Sequence, residues 1–480
     1  MELGQIAAFV VAGLIYLLVL PSRWRKWALL IGSVVAIYWL QPTLNIRWLD
    51  YSLPTATLGI SIVCWLITRQ PNDNRVGLAR EDWLTLAAVI VIALLLTISR
   101  YVELPIELTS RPPETWQVAI CLLILTGAIF VLRNRTTNNL VNSAAIVLIL
   151  GLFIVLKTDP LAMGLSRFLR GETGQDQTLA SVVDIQWLGF SYVAFRLIHT
   201  LRDRQNGLLP ELSLREYVTY VIFFPAYAAG PIDRAERFAV DFRALPLTNG
   251  RDANRMTIAL TRIGIGLFKK FVVADGLAYF SLNTTNLAQA NSAGAMWILL
   301  YSYAIRLYFD FSGYSDIAIG IGMLFGIQLP ENFDQPYLKN NITTFWQSWH
   351  MTLSNWVRTY VYSPLSRNLL RRKNKPSNMV IILICTLVTM VAIGLWHGVT
   401  IPFAIWGLWH GIGLFIHKLW SDRTRGWYRG LKQRPFQIRL WYGVGVVTTF
   451  HFVLLGWVWF AMPDTASALN VFKGLLGIAR

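Results

Sequence analysis

Long apolar runs separated by short polar loops fill the chain as far as residue 160. A helix needs about 20 mostly apolar residues to cross the hydrocarbon core of a bilayer. Six runs approach that length, at residues 4–20, 26–41, 49–68, 83–98, 116–132 and 140–157. We therefore predict six membrane helices in this part of the chain.

Further apolar segments follow near residues 185–200, 216–230, 256–282, 293–328, 378–396, 401–417 and 440–462. Composition agrees with this pattern, because 55% of the residues are hydrophobic, only 14% are charged, and the mean hydropathy is +0.47. An average soluble domain is much less apolar. The sequence predicts an all-α polytopic membrane protein with about a dozen transmembrane or re-entrant helices.

Basic residues in the short loops set the expected orientation. Arginine and lysine cluster in alternate loops, at residues 23–26, 69–80 and 133–135, and cytoplasmic loops are the ones enriched in these residues. We expect the N-terminus outside the cytoplasm and the later basic stretches, 202–204, 367–375 and 418–439, inside it. Topology and anionic lipid then explain the net charge of +17, and no nucleic-acid partner is expected.

The polar residues are unevenly distributed along what reads as one continuous membrane domain. Residues 1–160 are plain apolar helices, whereas histidine, aspartate and asparagine in apolar surroundings concentrate between residues 185 and 420. We divide the domain into N-terminal transmembrane helices, 1–160, and a core that carries the chemistry, 161–480. Cys64, Cys121 and Cys385 have no paired spacing, so neither a disulfide framework nor a zinc site is indicated.

Two copies of Leu-Trp-His-Gly, at residues 395–398 and 408–411, place histidines in an apolar stretch. An ionisable residue within a membrane segment is a functional hypothesis by default. His397 precedes Gly398 and Pro402, where a helix ends or bends, so its ring can project into a central space. His410 lies in a more regular helix, and we favour a structural role there, with a hydrogen bond to a backbone carbonyl or a tryptophan indole.

Residues 342–361 contain neither glycine nor proline and predict one amphipathic helix. Its apolar face includes Trp346 and Trp349, and its polar stripe includes His350, Ser354 and Arg358 at helical spacing. On periodicity alone, an interfacial helix whose stripe faces water or lipid headgroups is the simpler interpretation.

Carboxylates also stand in apolar surroundings upstream of this helix. Asp310 and Asp316 are six positions apart, so they point to different sides of a continuous helix, and Gly313 can break the helix between them. Structural contacts between helices, or a helix cap, are favoured over catalysis. Asn332 belongs to a turn-rich connector, 330–336, that we expect to position the helix bearing His350.

A second irregular segment, residues 223–234, contains two prolines inside an apolar run and ends at Asp233 and Arg234. Non-helical backbone at membrane depth must be covered by protein or line a cavity. A structural pairing and a contact with substrate are equally compatible with these two charged residues.

An ordered set of motifs resembles the membrane-bound O-acyltransferase (MBOAT) family. The motifs are FFPAYAAGPIDR (223–234), LFKKFVVADGLA (267–278), YFDFSGYSDIAIG (308–320), LPENFDQPYL (329–338), FWQSWHMTLSNWVRTYVYSPL (345–365), GLWHG (394–398) and WGLWHG (406–411). Within the family, the chain is similar to the bacterial branch that includes the alginate O-acetylation membrane protein and the D-alanyl transfer protein of teichoic acids.

The resemblance implies helices arranged around a central cavity in a bacterial plasma membrane. The family's two signature positions correspond to His350 and His397. We expect His397 to act as a base or nucleophile and His350 to orient it or move protons, since imidazole has a suitable pKa for either task. Candidates for the lining of a substrate channel are Asp233, Arg234, Asp310, Asp316, Asn332, Trp346, Trp349, Ser354, Arg358, Trp396 and His410.

The expected reaction is the transfer of an acyl group from a cytoplasmic thioester, first of all acetyl-CoA, toward an extracytoplasmic cell-envelope polysaccharide. A partner transferase is expected to complete the transfer, and no metal and no tightly bound cofactor is expected. One alternative is D-alanyl transfer from an acyl carrier protein. A transporter with a relay of His350, His397 and Asp310 is another, although no inverted repeat supports it, and a scaffold for envelope enzymes is a third.

The chain also departs from the family pattern. Gln347 and Ser348 stand where many relatives have an arginine pair, and Thr359 stands where an acid is common. The GPIDR motif resembles the D-alanyl branch, whereas the motifs at 267–278 and 308–320 resemble the acetylating branch. The sequence therefore leaves the choice of substrate open.

Overall fold

The computed structural model describes residues 2–69, 78–102, 109, 112–132, 138–247 and 252–478. Every regular element in these ranges is a helix. Within them, five helices are long and apolar enough to cross a bilayer, namely Leu49–Thr68, Arg80–Arg100, Asn139–Lys157, Asn378–His397 and Pro435–Ala461. The all-α membrane fold that the sequence predicts is confirmed.

The chain divides into two compact units. The first contains residues 1–263 and 317–329, and the second contains residues 264–316 and 330–480. The division at residue 160 stays a prediction. It separates residues by their expected role in chemistry, whereas the two units are defined by compact packing.

The first unit begins with six helices that match the six apolar runs. These are α1 Leu3–Leu18, α2 Arg25–Leu40, α3 Leu49–Thr68, α4 Arg80–Leu96, α5 Thr115–Leu132 and α6 Asn139–Lys157. The helices that follow are α7 Asp159–Glu172, α8 Phe190–Gln205, α9 Leu214–Val221, α10 Ala235–Ala244 and α11 Ala253–Leu267. Only the last residues of α11 belong to the second unit.

Hydrogen bonds between loops show which helix ends of the first unit lie together. The loop before α3 meets the segment before α8, where Asn45 donates to the Asp184 carboxylate at 3.1 Å. At the opposite helix ends, Arg204 donates to the backbone carbonyl of Arg69 at 3.4 Å. The basic loops at 69 and 202–204 thus share one side, as the charge alternation predicts. Three other arginines of the predicted cytoplasmic loops, Arg75, Arg133 and Arg135, lie outside the described residues.

The second unit contains long helices joined by irregular segments. A π-helix at residues 268–274 leads to α12 Asp275–Leu277, α13 Thr284–Gln289 and α14 Ala293–Leu324, of which residues up to 316 belong to this unit. The others are α15 Ile342–Trp346, α16 Met351–Val357, α17 Ser363–Leu370, α18 Asn378–His397, α19 Ile401–Arg423, α20 Arg425–Leu431, α21 Pro435–Ala461 and α22 Thr465–Leu475.

Two local expectations are wrong. Residues 342–361 do not form one helix, because α15 ends at Trp346, α16 begins at Met351, and residues 358–362 are a π-helix. Nor does Gly313 break α14, which is continuous. A β-carbon on Gly313 would lie 2.8 Å from the carbonyl oxygen of Gly266, so this glycine serves a close approach between α14 and the end of α11.

The helices α18 and α19 form a tightly packed hairpin that carries both Leu-Trp-His-Gly motifs. A β-carbon on Gly407 would lie 2.5 Å from the Met390 carbonyl oxygen, and one on Gly411 would lie 2.9 Å from the Leu387 side chain. Only glycine permits this separation of the two helices. The glycines of the second motif therefore place α19 against the helix that ends at His397.

Candidate active site

His397 is the last residue of α18, at the point where the chain leaves the helix. Gly398 follows in an extended conformation, with φ −178° and ψ 144°, so the predicted helix end is confirmed. The imidazole is partly exposed. Its ring centroid lies 4.7 Å from Phe460 and 5.7 Å from Trp406. Aromatic rings thus hold His397 while leaving part of it accessible.

His350 lies in the break between α15 and α16 and adopts a left-handed backbone conformation, with φ 43° and ψ 53°. A non-glycine residue in this conformation costs on the order of 1–3 kcal/mol and persists where its surroundings enforce it, often at active sites. The side chain is buried, and Phe311 packs edge-on against the imidazole with 4.7 Å between centroids.

Trp396 connects the two histidines. Its ring centroid lies 4.5 Å from the imidazole of His397 and 6.0 Å from that of His350. The structure therefore brings together, from separate elements of the second unit, the two residues to which the family signature points. The Nε2 atom of His350 is buried and has no hydrogen-bond partner among the described residues, so it keeps its capacity to bond a reactant.

A cavity of about 370 Å³ lies beside these histidines in the second unit. Met351, next to His350, and Ile393, one turn before His397, both line it. Part of the remaining lining is polar or basic, including Gln347, Ser354, Thr386, Thr389, Arg358 and Lys418, and apolar residues such as Trp346 complete the wall. Ser354 and Arg358 of the predicted polar stripe thus face a cavity, whereas His350 is not among its lining residues.

Trp349 and His410 are not among the residues that line this cavity. Trp349 packs against Trp457, with 5.0 Å between ring centroids, and stacks on Phe345 at 5.7 Å. These ring contacts fit a packing role for Trp349.

His410 is fully buried on α19 among aromatic rings. The imidazole lies 5.0 Å from Trp406 and 5.2 Å from Trp346, edge to face. Neither ring nitrogen has a hydrogen-bond partner within the described part of the chain, so the expected bond to a carbonyl or an indole is not formed there. Its neighbours fit an aromatic packing role.

The aspartates of α14 pair with two lysines of the π-helix at 268–274. Lys270 Nζ lies 2.6 Å from the Asp310 carboxylate and also contacts Asp275 at 2.8 Å, and Lys269 Nζ lies 2.7 Å from Asp316. The expected contacts between helices are present. Neither lysine was among the predicted site residues, although the two stand side by side in the motif at 267–278.

Asn332 is buried between α14 and the start of α16. Its side-chain amide donates to Ser315 Oγ at 3.2 Å and accepts from Thr352 Oγ at 2.6 Å. The connector at 330–336 therefore contacts the segment that carries His350, as the sequence predicts.

Asp233 and Arg234 lie in the first unit, where they have protein partners. Arg237 pairs with the Asp233 carboxylate, and the Tyr220 hydroxyl donates to the Asp233 carbonyl at 2.9 Å. Arg234 is half exposed and lies 3.4 Å from Glu236. Of the two interpretations left open by the sequence, these contacts favour the structural pairing.

His199 is buried in the first unit. Its Nε2 accepts the backbone N–H of Ala235 at 3.2 Å, and carboxylate oxygens of Asp203 and Glu236 lie 3.7 and 3.5 Å away. These three side chains are the metal-ligand types that the described residues bring together. Because the N–H of Ala235 occupies the lone pair of Nε2, we assign a helix-capping role to His199.

Comparison with known proteins agrees with this arrangement. The sequence model of the membrane-bound O-acyltransferase family matches residues 123–459, more than half of the chain. The protein belongs to this family. The matched range includes His350, His397 and every residue that lines the cavity beside them.

Three bacterial relatives are named for different acyl-transfer reactions. The chain is 38% identical to the peptidoglycan O-acetyltransferase of Helicobacter pylori, over 55% of this chain and 47% of the relative. It is 33% identical to the teichoic acid D-alanyltransferase of Streptococcus thermophilus, over 58% and 68%. It is 34% identical to the probable alginate O-acetylase AlgI of Pseudomonas syringae, over 60% and 51%. The alignment spans about half the length of the first and third relatives.

Proposed function

We propose that this protein is a membrane-bound O-acyltransferase that moves an acyl group, most simply acetyl from acetyl-CoA, from the cytoplasmic side to a cell-envelope polysaccharide. The observation that carries the proposal is the pair His350 and His397, which share contacts with Trp396 and have the neighbouring residues Met351 and Ile393 in the wall of a cavity. Relatives named for acetylation of peptidoglycan and alginate support the acetyl group.

The chemistry assigned to the pair is proton transfer at the acceptor hydroxyl. Neutral His397 takes the proton of the hydroxyl as its oxygen attacks the thioester carbonyl. The carbon–sulfur bond then breaks, and the proton passes to the departing thiolate. His350 lies within the same aromatic cluster and orients His397 or relays the proton. A positioned general base contributes about 10²–10⁴ to the rate of such a step.

The cavity offers a place for the donor. Its apolar wall and hydroxyl groups fit the uncharged arm of a thioester, and Arg358 and Lys418 supply cations for phosphate groups. Lys418 also contacts Asp422 at 2.9 Å, which fixes the direction of its ammonium group.

A second donor, a D-alanyl group on an acidic carrier protein, is favoured by the basic character of one end of the second unit. The loop before α18 and the segment from the end of α19 to the start of α21 lie at the same end of the antiparallel hairpin. Between residues 367 and 439 the charged residues are almost all lysine and arginine. Such a surface attracts acidic partners, and the teichoic acid relatives are D-alanyltransferases by name.

Acyl-donor consumption by the purified protein in vesicles tests the proposal. With radiolabelled acetyl-CoA and an envelope polysaccharide acceptor, we expect His397→Ala to lower turnover by about 100-fold or more. His451→Ala is the control. His451 lies on α21, away from the cavity, and its ring bonds the Tyr301 hydroxyl at 2.7 Å. Equal turnover by the native protein and His397→Ala would refute the catalytic assignment. Turnover only with a D-alanyl carrier thioester would replace acetyl by D-alanyl.

The relay transporter receives less support from the structure. Its third member, Asp310, is paired with Lys270 at 2.6 Å, which is a structural contact between α14 and the π-helix at 268–274. Transport without donor consumption remains the observation that distinguishes it from acyl transfer.

A further inference from the structure

The helix α16 begins at His350 in an unusual way. His350 occupies the N-cap position, but its side chain makes no capping hydrogen bond. The first N–H groups of a helix have no partner within the helix, and a side chain at the N-cap normally accepts one of them. In this helix the acceptor has to come from elsewhere.

Asn332 supplies these acceptors from the preceding connector. Its backbone carbonyl accepts the N–H of Met351 at 2.9 Å. Its Oδ1 accepts the N–H of Thr352 at 3.4 Å and the Thr352 hydroxyl at 2.6 Å. Asn332 therefore caps α16 in place of His350, and the imidazole of His350 is not used for capping.

The position of Asn332 is itself fixed by α14. Asn332 is 1% exposed, and its amide N–H group donates to Ser315 Oγ at 3.2 Å. Phe311, one helical turn before Ser315, packs edge-on against the His350 ring at 4.7 Å. Residues four apart share one face of a helix. One face of α14 thus fixes the imidazole directly through Phe311 and its backbone indirectly through Asn332.

We propose that Asn332 is a positioning residue for acyl transfer, which holds the left-handed backbone of His350 and thereby the orientation of its imidazole. This inference rests on the proposed function, in which His350 acts together with His397. A displacement of about 1 Å of a reacting group can cost about 100-fold in rate. Loss of the Asn332 cap is therefore expected to affect the chemical step more than donor binding.

Asn332→Ala and Asn332→Asp in the vesicle assay separate positioning from simple folding. For Asn332→Ala we expect kcat to fall about 10- to 100-fold with KM for acetyl-CoA changed by less than about twofold. Asn332→Asp keeps the oxygen acceptors that cap α16, and the Ser315 hydroxyl, which accepts from the Asn332 amide, can donate to the carboxylate instead. We therefore expect it to restore kcat to within about threefold of the native value.

Asn341→Ala is the matched control. Asn341 follows the connector at 330–336 and caps the neighbouring α15, accepting the N–H of Thr344 at 2.9 Å. Its loss removes one helix cap of the same kind, but from a helix that does not begin at His350. We expect a comparable decrease in melting temperature and a kcat within about twofold of the native value.

Several results would overturn the inference. These are an equal fall in kcat for Asn341→Ala, a rise in KM without a fall in kcat for Asn332→Ala, or no rescue by Asn332→Asp. If Asn332→Ala does not fold, Thr352→Val removes the 2.6 Å bond from the other side and must show the same loss of kcat. The proposed function fails separately, if His350→Ala and His397→Ala both keep native turnover.

Discussion

Single residues explain why the histidines are not equivalent. His397 ends a helix and stays partly exposed, and His410 is enclosed by aromatic rings. His350 is buried, and its Nε2 has no hydrogen-bond partner in the described part of the chain. Similar sequence contexts, Trp-His in all three cases, therefore give three environments. The accessible imidazole suits direct contact with a reactant, and the buried one suits orientation or proton relay.

Arg358 offers a residue-level test of the donor site. It is exposed, begins the π-helix at 358–362 and lines the cavity. If it binds a phosphate of the donor, Arg358→Gln should raise KM for acetyl-CoA about tenfold, equivalent to about 1.4 kcal/mol, and change kcat little. Arg371→Gln, another exposed arginine that does not line the cavity, is the control for net charge. An equal rise in KM for both variants would assign the effect to the overall field.

The helices show how much of the fold could be predicted from the sequence. The six apolar runs predict α1 to α6 well, because burial in lipid depends on length and hydrophobicity that each run carries in itself. The segment 342–361 has helical periodicity, yet backbone groups at the break between α15 and α16 form hydrogen bonds with the connector at 330–336. The N–H of Asp334 bonds the Ser348 carbonyl at 3.0 Å, and the N–H of Met351 bonds the Asn332 carbonyl. No local pattern indicates these partners, since they come from the preceding connector.

Sequence-local features also account for the part of the candidate site that could be predicted. Two histidines and the polar stripe could be identified, since ionisable residues in apolar sequence are conspicuous. The lysines at 269 and 270 were missed because their pairing with Asp310 and Asp316 depends on the close packing of two helices at Gly313.

A buried ion pair that joins α7 to the short helix at 182–185 predicts how stability depends on pH. Arg170 pairs with Asp184 at 2.8 Å. Burial raises the pKa of the Asp184 carboxyl, but hydrogen bonds from Arg170, Ser166, Asn45 and the Ser181 N–H lower it to a net pKa of about 2. An unfolded aspartate has a pKa of about 3.9. The stabilisation is therefore complete above about pH 4 and is lost as the pH falls toward 2.

Asp184→Asn should lower the free energy of unfolding at pH 7 by about 3–5 kcal/mol, because it leaves the buried Arg170 without its charged partner. It should also flatten the loss of stability between about pH 4 and pH 2. Thermal unfolding of the detergent-solubilised protein across this range measures both. Glu172→Gln, which removes an exposed carboxyl from α7, is expected to follow the native pH profile. A parallel pH dependence for Asp184→Asn would contradict the assignment.

At the scale of the whole molecule, the proposed reaction requires that donor and acceptor lie on defined sides of the membrane. A cytoplasmic donor can reach the basic loops only if these loops face the cytoplasm. Within the first unit, contacts group the helix ends consistently. Arg215 lies over the Trp27 ring at 4.6 Å and pairs with Glu81, which places the starts of α2, α4 and α9 together. The loop before α3 lies with the segment after α7.

Labelling of single cysteines tests these sides directly. In a variant with Cys64, Cys121 and Cys385 replaced by alanine, Glu172→Cys and Asn206→Cys each place one exposed thiol at opposite ends of the first unit. The positive-inside rule puts residue 206, beside Arg202 and Arg204, in the cytoplasm. A membrane-impermeant maleimide added to intact cells should label the thiol at 172 and not at 206, and permeabilisation should expose both. Labelling of the thiol at 206 and not at 172 would indicate the opposite topology. The basic loops would then face away from the cytoplasm, where the proposed donor is found.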